Sequence, residues 1–389
     1  MLSTQRASIV VIGGGIAGVG CASFLASHSD VLVLESDSVA GYHSTSRSAA
    51  IFIPSYGNHV IQALTAQSQP YLDTPPSALA TGSFLSPRGE LLLSMEDEVE
   101  RFEQLLIEAP HIRELSLDEA LTRVPILNRQ RFVRACIEEN ARDIDVDRLL
   151  QCWQRKLKSA GGVIETSRSV TALEQHNNGW RLQTTKGPVD AEIVVNAAGA
   201  WADTVAGMAG LDPLGLTACR RSAALLPVPQ GYCVNDWPLF GSISENWYAK
   251  PMSGKLMVSP ADEDPVEPHD AFADDMVLAE GLYRFEQAVT VPVTRVEHNW
   301  AGLRTFARDR VPVVGEDPRK AGFFWLAGQG GYGVQTAPAL SRLAATVLLE
   351  SLQGFKLSDI DEPDNGFDTA IDPELVRSLD PGRLIGLSH

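Results

Sequence analysis

Cysteine is scarce in this chain. The five thiols, Cys21, Cys136, Cys152, Cys219 and Cys233, are odd in number and include no C-x-x-C pair. That pattern argues against a disulfide framework or a zinc site and for a reduced compartment in which thiols serve as small fillers. Positive charge is also in deficit: 32 Lys and Arg stand against 49 Asp and Glu, a net charge of −17. A surface of that sign disfavours nucleic-acid phosphates and anionic lipid, so neither is an expected partner. It can steer a cationic substrate or simply keep the protein soluble. No apolar run approaches the ~20 residues of a membrane helix. No basic leader precedes the first strand pattern, so a cytoplasmic protein is the expectation. Repeats and low-complexity linkers are absent.

What is present begins at Ala7. A β-branched run, Ala7-Ser-Ile-Val-Val-Ile, meets Gly13-Gly14-Gly15-Ile16-Ala17-Gly18, then a small-residue helix expected over 16–28, then Val31-Leu-Val-Leu-Glu35-Ser36. Gly13 permits a sharp turn, Gly15 lets backbone N–H groups approach a pyrophosphate, and Gly18 lets helix and strand pack closely. The helix N-terminus presents unpaired N–H groups and its positive dipole end to phosphates. Glu35 stands about twenty residues past the glycines, where a carboxylate accepts ribose hydroxyls. Strand, turn, helix, strand and acid in this order predict a dinucleotide site.

At 389 residues the chain suits two domains. Asp145-Val-Asp-Arg-Leu-Leu opens a predicted helix with Leu149, Leu150, Trp153 and Leu157 at helical spacing. Val163-Ile-Glu165 reads as a strand, and Val170–Glu174 and Trp180–Thr184 as a hairpin closed through Asn177-Asn178-Gly179. Another apolar strand breaks at Asn196-Ala-Ala198-Gly199-Ala-Trp201. Residues 220–310, with short alternating runs and many prolines, predict an antiparallel sheet with long loops. α/β character returns at Gly322, followed by a helix to about residue 352, and the acidic stretch 359–374 reads as a solvated connection. The predicted fold class is α/β: a Rossmann-like dinucleotide domain (1–80, 143–207 and 313–389) with an inserted antiparallel β-sheet substrate domain (81–142 and 208–312).

Three segments favour FAD over NAD. The hydroxyl-rich His43-Ser44-Thr45-Ser46-Arg47-Ser48 can cap a helix and bind phosphates. The Asn196–Trp201 turn suits close backbone approach to an extended cofactor. The cluster Gly330-Gly331-Tyr332-Gly333-Val334-Gln335-Thr336 fits a second approach, to a flavin ring. Each alone could be an ordinary turn or cap. Together GGGIAG, HSTSRSAA, NAAGAW, WAGLR and GQGGYG resemble, in order, the FAD-dependent D-amino-acid oxidase superfamily, with greatest similarity to its D-arginine dehydrogenase branch, from residue 7 to 350.

The resemblance implies FAD extended through the Rossmann-like domain, a substrate between flavin and sheet domain, and Val170 near the adenine end. Some members hold flavin through a cysteine near the active site. No cysteine follows Cys233, so noncovalent FAD is expected. It also implies that Arg221 and Arg304 grip a substrate carboxylate, a task suited to the guanidinium fork, with Tyr56 and Tyr248 beside them. Gly331 and Gln335 match substrate-facing positions, although Gln335 could equally cap the following helix. Glu90 matches the acceptor of a cationic side chain, and a hairpin acid facing water is the plain alternative. Ile51 and Ile53 stand where the branch carries histidine and threonine, so the segment Ile51–Val60, a candidate lid, is more apolar.

The expected activity is FAD-dependent oxidative deamination of a D-amino acid, cationic or apolar, to an imine and then a 2-oxo acid and ammonia. A secondary-amine or 2-hydroxy-acid oxidoreductase, and a flavin subunit relaying electrons within a complex, are the alternatives. The electron acceptor, oxygen or a quinone, is not legible.

Overall fold

The computed structural model describes residues 4–353, 367 and 372–386. A continuous run of buried β-branched residues builds the first sheet around strand Gln5–Ile12, whose last four residues are all buried. Strand Val31–Leu34 runs parallel on one side and Val189–Asn196 parallel on the other. Val163–Glu165 extends the sheet beyond Val31–Leu34. Strand Val189–Asn196 is shared along its length. Its first residues pair antiparallel with Gly179–Thr184, and its last three pair parallel with Phe323–Ala327. The hairpin Val170–His176/Gly179–Thr184 turns through Asn177 and Asn178, both at positive φ, the conformation a two-residue turn demands.

Helix Ile16–Leu25 is apolar all round because it is covered on all sides. It is packed between the sheet, helix Ala337–Gln353 and helix Val146–Ser159. It stops at Leu25 rather than 28, where the N–H groups of His28 and Ser29 turn back to the Leu25 carbonyl. Small residues make the fit possible: a Cβ on Gly20 would lie 2.3 Å from Ser341 Oγ.

The second sheet has the order His298–Phe306, Thr217–Leu226, Lys255–Ser259, Tyr248–Met252, Leu239–Ser242, Glu90–Ser94, Arg134–Glu138, Arg113–Leu115. It is mixed, not antiparallel throughout, because Leu239–Ser242 lies parallel to Glu90–Ser94. Partners nearly 150 residues apart leave no local trace of their direction. Residues 220–310 also hold a 14-residue helix, Asp275–Ala288, where only strands and loops were expected. Asp274 caps it by accepting from the N–H groups of Met276 and Val277, and Leu278 and Phe285 bury its inner face.

A third, three-stranded sheet joins Ile51–Phe52, Arg142–Ile144 and Leu85–Pro87. It fixes the start of the candidate lid. Most of the acidic stretch 359–374 lies outside the described residues, and its end, Pro373 and Glu374, opens the helix Pro373–Leu379. Among the described residues no helix is long and apolar enough to cross a membrane.

Candidate active site

A cleft of about 870 Å³ runs from the carboxyl ends of the first sheet's parallel strands to the face of the second sheet. That is within the range of cofactor and substrate pockets. Its first half is made of backbone. Gly13 sits at φ +112°, and a Cβ there would fall 2.3 Å from the Ala197 carbonyl oxygen. Gly18 is closed against the Gly13 carbonyl, so it shapes the turn without reaching the cleft. At Gly15 a Cβ would meet only Thr45 Oγ1 at 3.4 Å, and at Gly199 nothing within 4 Å. Side chains there would fill space that the fold keeps open. Helix Ile16–Leu25 carries no side-chain cap at Gly15, although the Ile16 N–H donates to Thr45 Oγ1 at 3.0 Å.

Glu35 is held at the far end of this half. Its carboxylate accepts from Gly14 N–H at 2.7 Å and Asp37 N–H at 2.8 Å. Ile16, Ala17, Ser36, His43, Ser44, Thr45, Ser48, Val170, Ala198, Gly199 and Trp201 line the same half. His43 packs its ring on Trp201, centroids 4.7 Å apart, and lies 2.9 Å from an Asp37 carboxylate oxygen. These backbone openings and ribose-height acid fit an extended dinucleotide. None of the five cysteines lines the cleft.

Several expected residues are turned elsewhere. The Arg47 guanidinium donates to the carbonyls of Ala271 and Ala301 and to Asp270, tying the hydroxyl-rich turn to the second sheet rather than presenting a phosphate clamp. Ser46 Oγ donates back to the Tyr42 carbonyl, as a turn-closing hydroxyl does. Thr336 is fully buried and bonded to the Tyr332 carbonyl. Tyr332 is buried behind the wall, its ring 4.8 Å from that of Tyr56. The buried Gln335 amide lines the cleft and clasps Ile53, accepting from its N–H at 3.2 Å and donating to Thr65 Oγ1 at 2.8 Å, so it also positions a loop. The segment Ile51–Val60 is therefore no free lid: Ile51–Phe52 is a strand, Ile53 is clasped, and Asn58 caps helix His59–Asp73. Arg47, Gly330, Gly331, Gly333, Val334 and Gln335 all line the cleft.

The second half of the cleft is made of side chains from separate strands. Arg304 comes from strand His298–Phe306 and Arg221 from its neighbour Thr217–Leu226. Arg304 donates to Tyr56 Oη at 3.3 Å. Burial works against the Arg304 cation, but the Tyr56 and Tyr248 oxygens outweigh it and hold the guanidinium firmly charged. Burial pushes the Tyr56 phenol up. Burial also pushes on Tyr248, yet the Arg304 and Arg221 cations pull its phenol below the usual value. Arg221 donates to the Asp262 carbonyl at 2.7 Å and lies 3.5 Å from Glu263, which Arg310 grips on both oxygens.

Three strands separate Arg221 from Glu90 in the sheet. Burial, then the neighbouring Glu138 and Glu245 carboxylates, push Glu90 up to about 8. Glu245 lines the cleft from the turn before Tyr248, with Arg101, Gln104, Leu105 and Glu108 of helix Val99–Glu108. Sequence reasoning missed this wall, although 101, 104, 105 and 108 follow the spacing of one helix face. It also missed Arg168, Ser55, Ser222, Met257 and Trp300, all on the cleft.

A dinucleotide cradle continuous with a charged chamber is the arrangement of a dinucleotide-dependent oxidoreductase. Residues 8–347 match the family described as DAO, FAD dependent oxidoreductase, and the chain belongs to that family, with FAD as its cofactor. It is similar to FAD-dependent oxidoreductase domain-containing protein 1 of Bos taurus, 26% identical over 405 residues, covering 90% of this chain and 82% of that protein. Glycine oxidase of Bacillus subtilis (strain 168) is 24% identical over 369 residues, 87% of this chain and 92% of the enzyme. The crystal structure of L-proline dehydrogenase from P. horikoshii superposes with a TM-score of 0.77 at 22% identity, covering 98% of both chains. The fold is the one these proteins share.

Proposed function

We propose that the protein oxidises the α-amine of a D-amino acid, preferentially one with a cationic side chain, to an imine that water converts to a 2-oxo acid and ammonia. One observation carries the reading. The chamber has a cationic pole and an acidic pole, Arg304 and Arg221 with their tyrosines on one side and Glu90 with Glu245 on the other. A carboxylate docks on the guanidinium pole through charge-assisted hydrogen bonds, each worth about 1.5–3 kcal/mol. The acidic pole receives the side-chain cation, whose charge lowers the cost of ionising Glu90. Tyr56 and Tyr248 wall the carboxylate from water, and Gln335 holds Ile53 against the substrate's stem. FAD, held noncovalently along the backbone cradle, would supply the hydride acceptor for Cα. The D configuration is supported by the resemblance of the sequence motifs to the D-arginine dehydrogenase branch.

Ile51 and Ile53 on the cleft wall favour a second reading, a small or apolar amine such as glycine or proline. The test is anaerobic mixing of holoprotein with D- and L-amino acids, glycine and proline while flavin absorbance is followed. Fastest bleaching by D-arginine and D-lysine, slowed at least tenfold by Glu90→Gln with glycine unaffected, is expected. Fastest bleaching by glycine or proline, indifferent to that substitution, replaces the first reading with the second.

A further inference from the structure

A buried acid that the carboxylate and cation poles do not employ links the chamber to the surface. Glu138 closes strand Arg134–Glu138, directly across the ladder from Glu90, and is 1% exposed. Its carboxylate accepts from the Ser55 hydroxyl, from the Ser55 N–H at 3.3 Å, and lies 3.1 Å from His111 Nε2. Ser55 lines the cleft beside Tyr56. The His111 side chain, in the loop after helix Val99–Glu108, is 42% exposed. Hydroxyl, carboxylate and imidazole thus form one hydrogen-bonded row from the chamber wall to solvent. All three group types give up one proton while taking another.

We propose that Ser55, Glu138 and His111 form a proton relay that carries the proton shed by a substrate ammonium out of the chamber. The proposal rests on the amine-oxidising reading above. An amino acid arrives with its α-amine mostly protonated, and only the neutral amine can release a hydride from Cα. The N–H proton passes to Ser55 Oγ as the hydroxyl's own proton passes to Glu138 Oε2. A half-turn of the resulting carboxyl presents that proton to His111 Nε2, in the tautomer that carries its hydrogen on Nδ1. The imidazolium then releases its Nδ1 proton to water, which leaves the Nε2–H tautomer, and exchange of the ring protons with water restores the Nδ1–H form before the next cycle. No electrons move in these steps.

The groups that face Glu138 come from several elements. Glu138 faces Glu90 from the neighbouring strand, Cys136 from its own strand and His111 from the loop, and Glu245 acts on the same Glu90 from the turn before Tyr248. His111 is the one cation-forming group bonded to it among the described residues.

A simple clamp on the Ser55–Tyr56 loop would use the same bonds, and Glu138→Gln separates the two roles. Glutamine keeps an acceptor for Ser55 and a donor for His111 but cannot carry a proton. The measurement is the anaerobic flavin-reduction rate against pH for the holoprotein and Glu138→Gln, His111→Gln and His111→Gln with added imidazole. The relay predicts at least a tenfold slower reduction near pH 7 in both variants, convergence with the parent above about pH 10, where the amine arrives neutral, and imidazole rescue of His111→Gln. Binding of a non-reacting carboxylate ligand should be unchanged in Glu138→Gln. Rates within twofold of the parent at every pH, or slow rates with no pH convergence, overturn it. The slowing near pH 7 is read with whichever substrate bleaches the flavin, and the convergence above about pH 10 only with an amine, since a hydroxyl does not ionise there. Failure of the amino-acid reading, seen as no bleaching by any amino acid, is therefore a separate result.

Discussion

The two halves of the cleft are built by opposite means. The cofactor half is backbone: Gly13, Gly15 and Gly199 open space by having no side chain, and Glu35 is the principal charged group, fixed by two N–H donors. The substrate half is side chain: Arg221, Arg304, Tyr248 and Glu90 converge from four strands of one sheet, and Tyr56 comes from a loop outside it. The first half tolerates no added atoms. The second depends on charges that can be altered singly with the space preserved. Damage to the first should therefore remove the cofactor, whereas damage to the second should remove substrate and leave the flavin.

The largest effect tests the backbone half. Gly13→Val requires a β-branched residue at φ +112° with its Cβ 2.3 Å from the Ala197 carbonyl. Purified protein should carry no flavin, read as the loss of absorbance near 450 nm at unchanged protein concentration. Retention of stoichiometric flavin would mean that the turn is not the pyrophosphate cradle.

Arg304→Ala sharpens the contrast from the other half. Two lost charge-assisted bonds predict roughly a hundred- to ten-thousand-fold fall in kcat/KM, carried mostly by KM. The flavin content and spectrum should match those of the parent. Equal loss of flavin would show that the two halves are not separable.

The same difference explains what could be read from the chain alone. The cofactor half occupies consecutive residues, 13–18, 43–48 and 196–201, where spacing alone carries the geometry. The arginines and Glu90 lie on strands whose neighbours are set by long-range pairing. Their roles came from likeness to a family, not from any local pattern. The parallel pairing of Leu239–Ser242 with Glu90–Ser94 is invisible locally for the same reason. Helix Asp275–Ala288 was legible in principle. Asp274 and the spacing of Leu278, Gly281, Leu282 and Phe285 are ordinary helix signals, obscured by the prolines and short apolar runs around them. The fate of Arg47 and Gln335 was not legible, since each bonds to backbone more than 200 residues away.

The smallest effect concerns stability and bears on the acidic pole. Glu90 has a folded pKa near 8 against an ordinary 4.5. Below about pH 4.5 the carboxyl is neutral in both folded and unfolded chains and contributes no pH dependence. Between these values the unfolded chain releases the proton and the folded chain keeps it, so folding weakens as pH rises, and the cost is complete above pH 8. Glu90→Gln removes that cost. Its melting temperature relative to the parent should climb from about zero near pH 4.5 to an excess on the order of 6 °C at pH 8.5. A cationic ligand that binds at Glu90 should raise the parent's melting temperature at pH 8.5 more than the variant's, because it compensates the same carboxylate. If the two proteins instead keep a constant offset from pH 4.5 to 8.5, Glu90 ionises freely in the fold. The acidic pole would then be a solvated hairpin acid, and the contrast between backbone and charge would hold only at the arginine end.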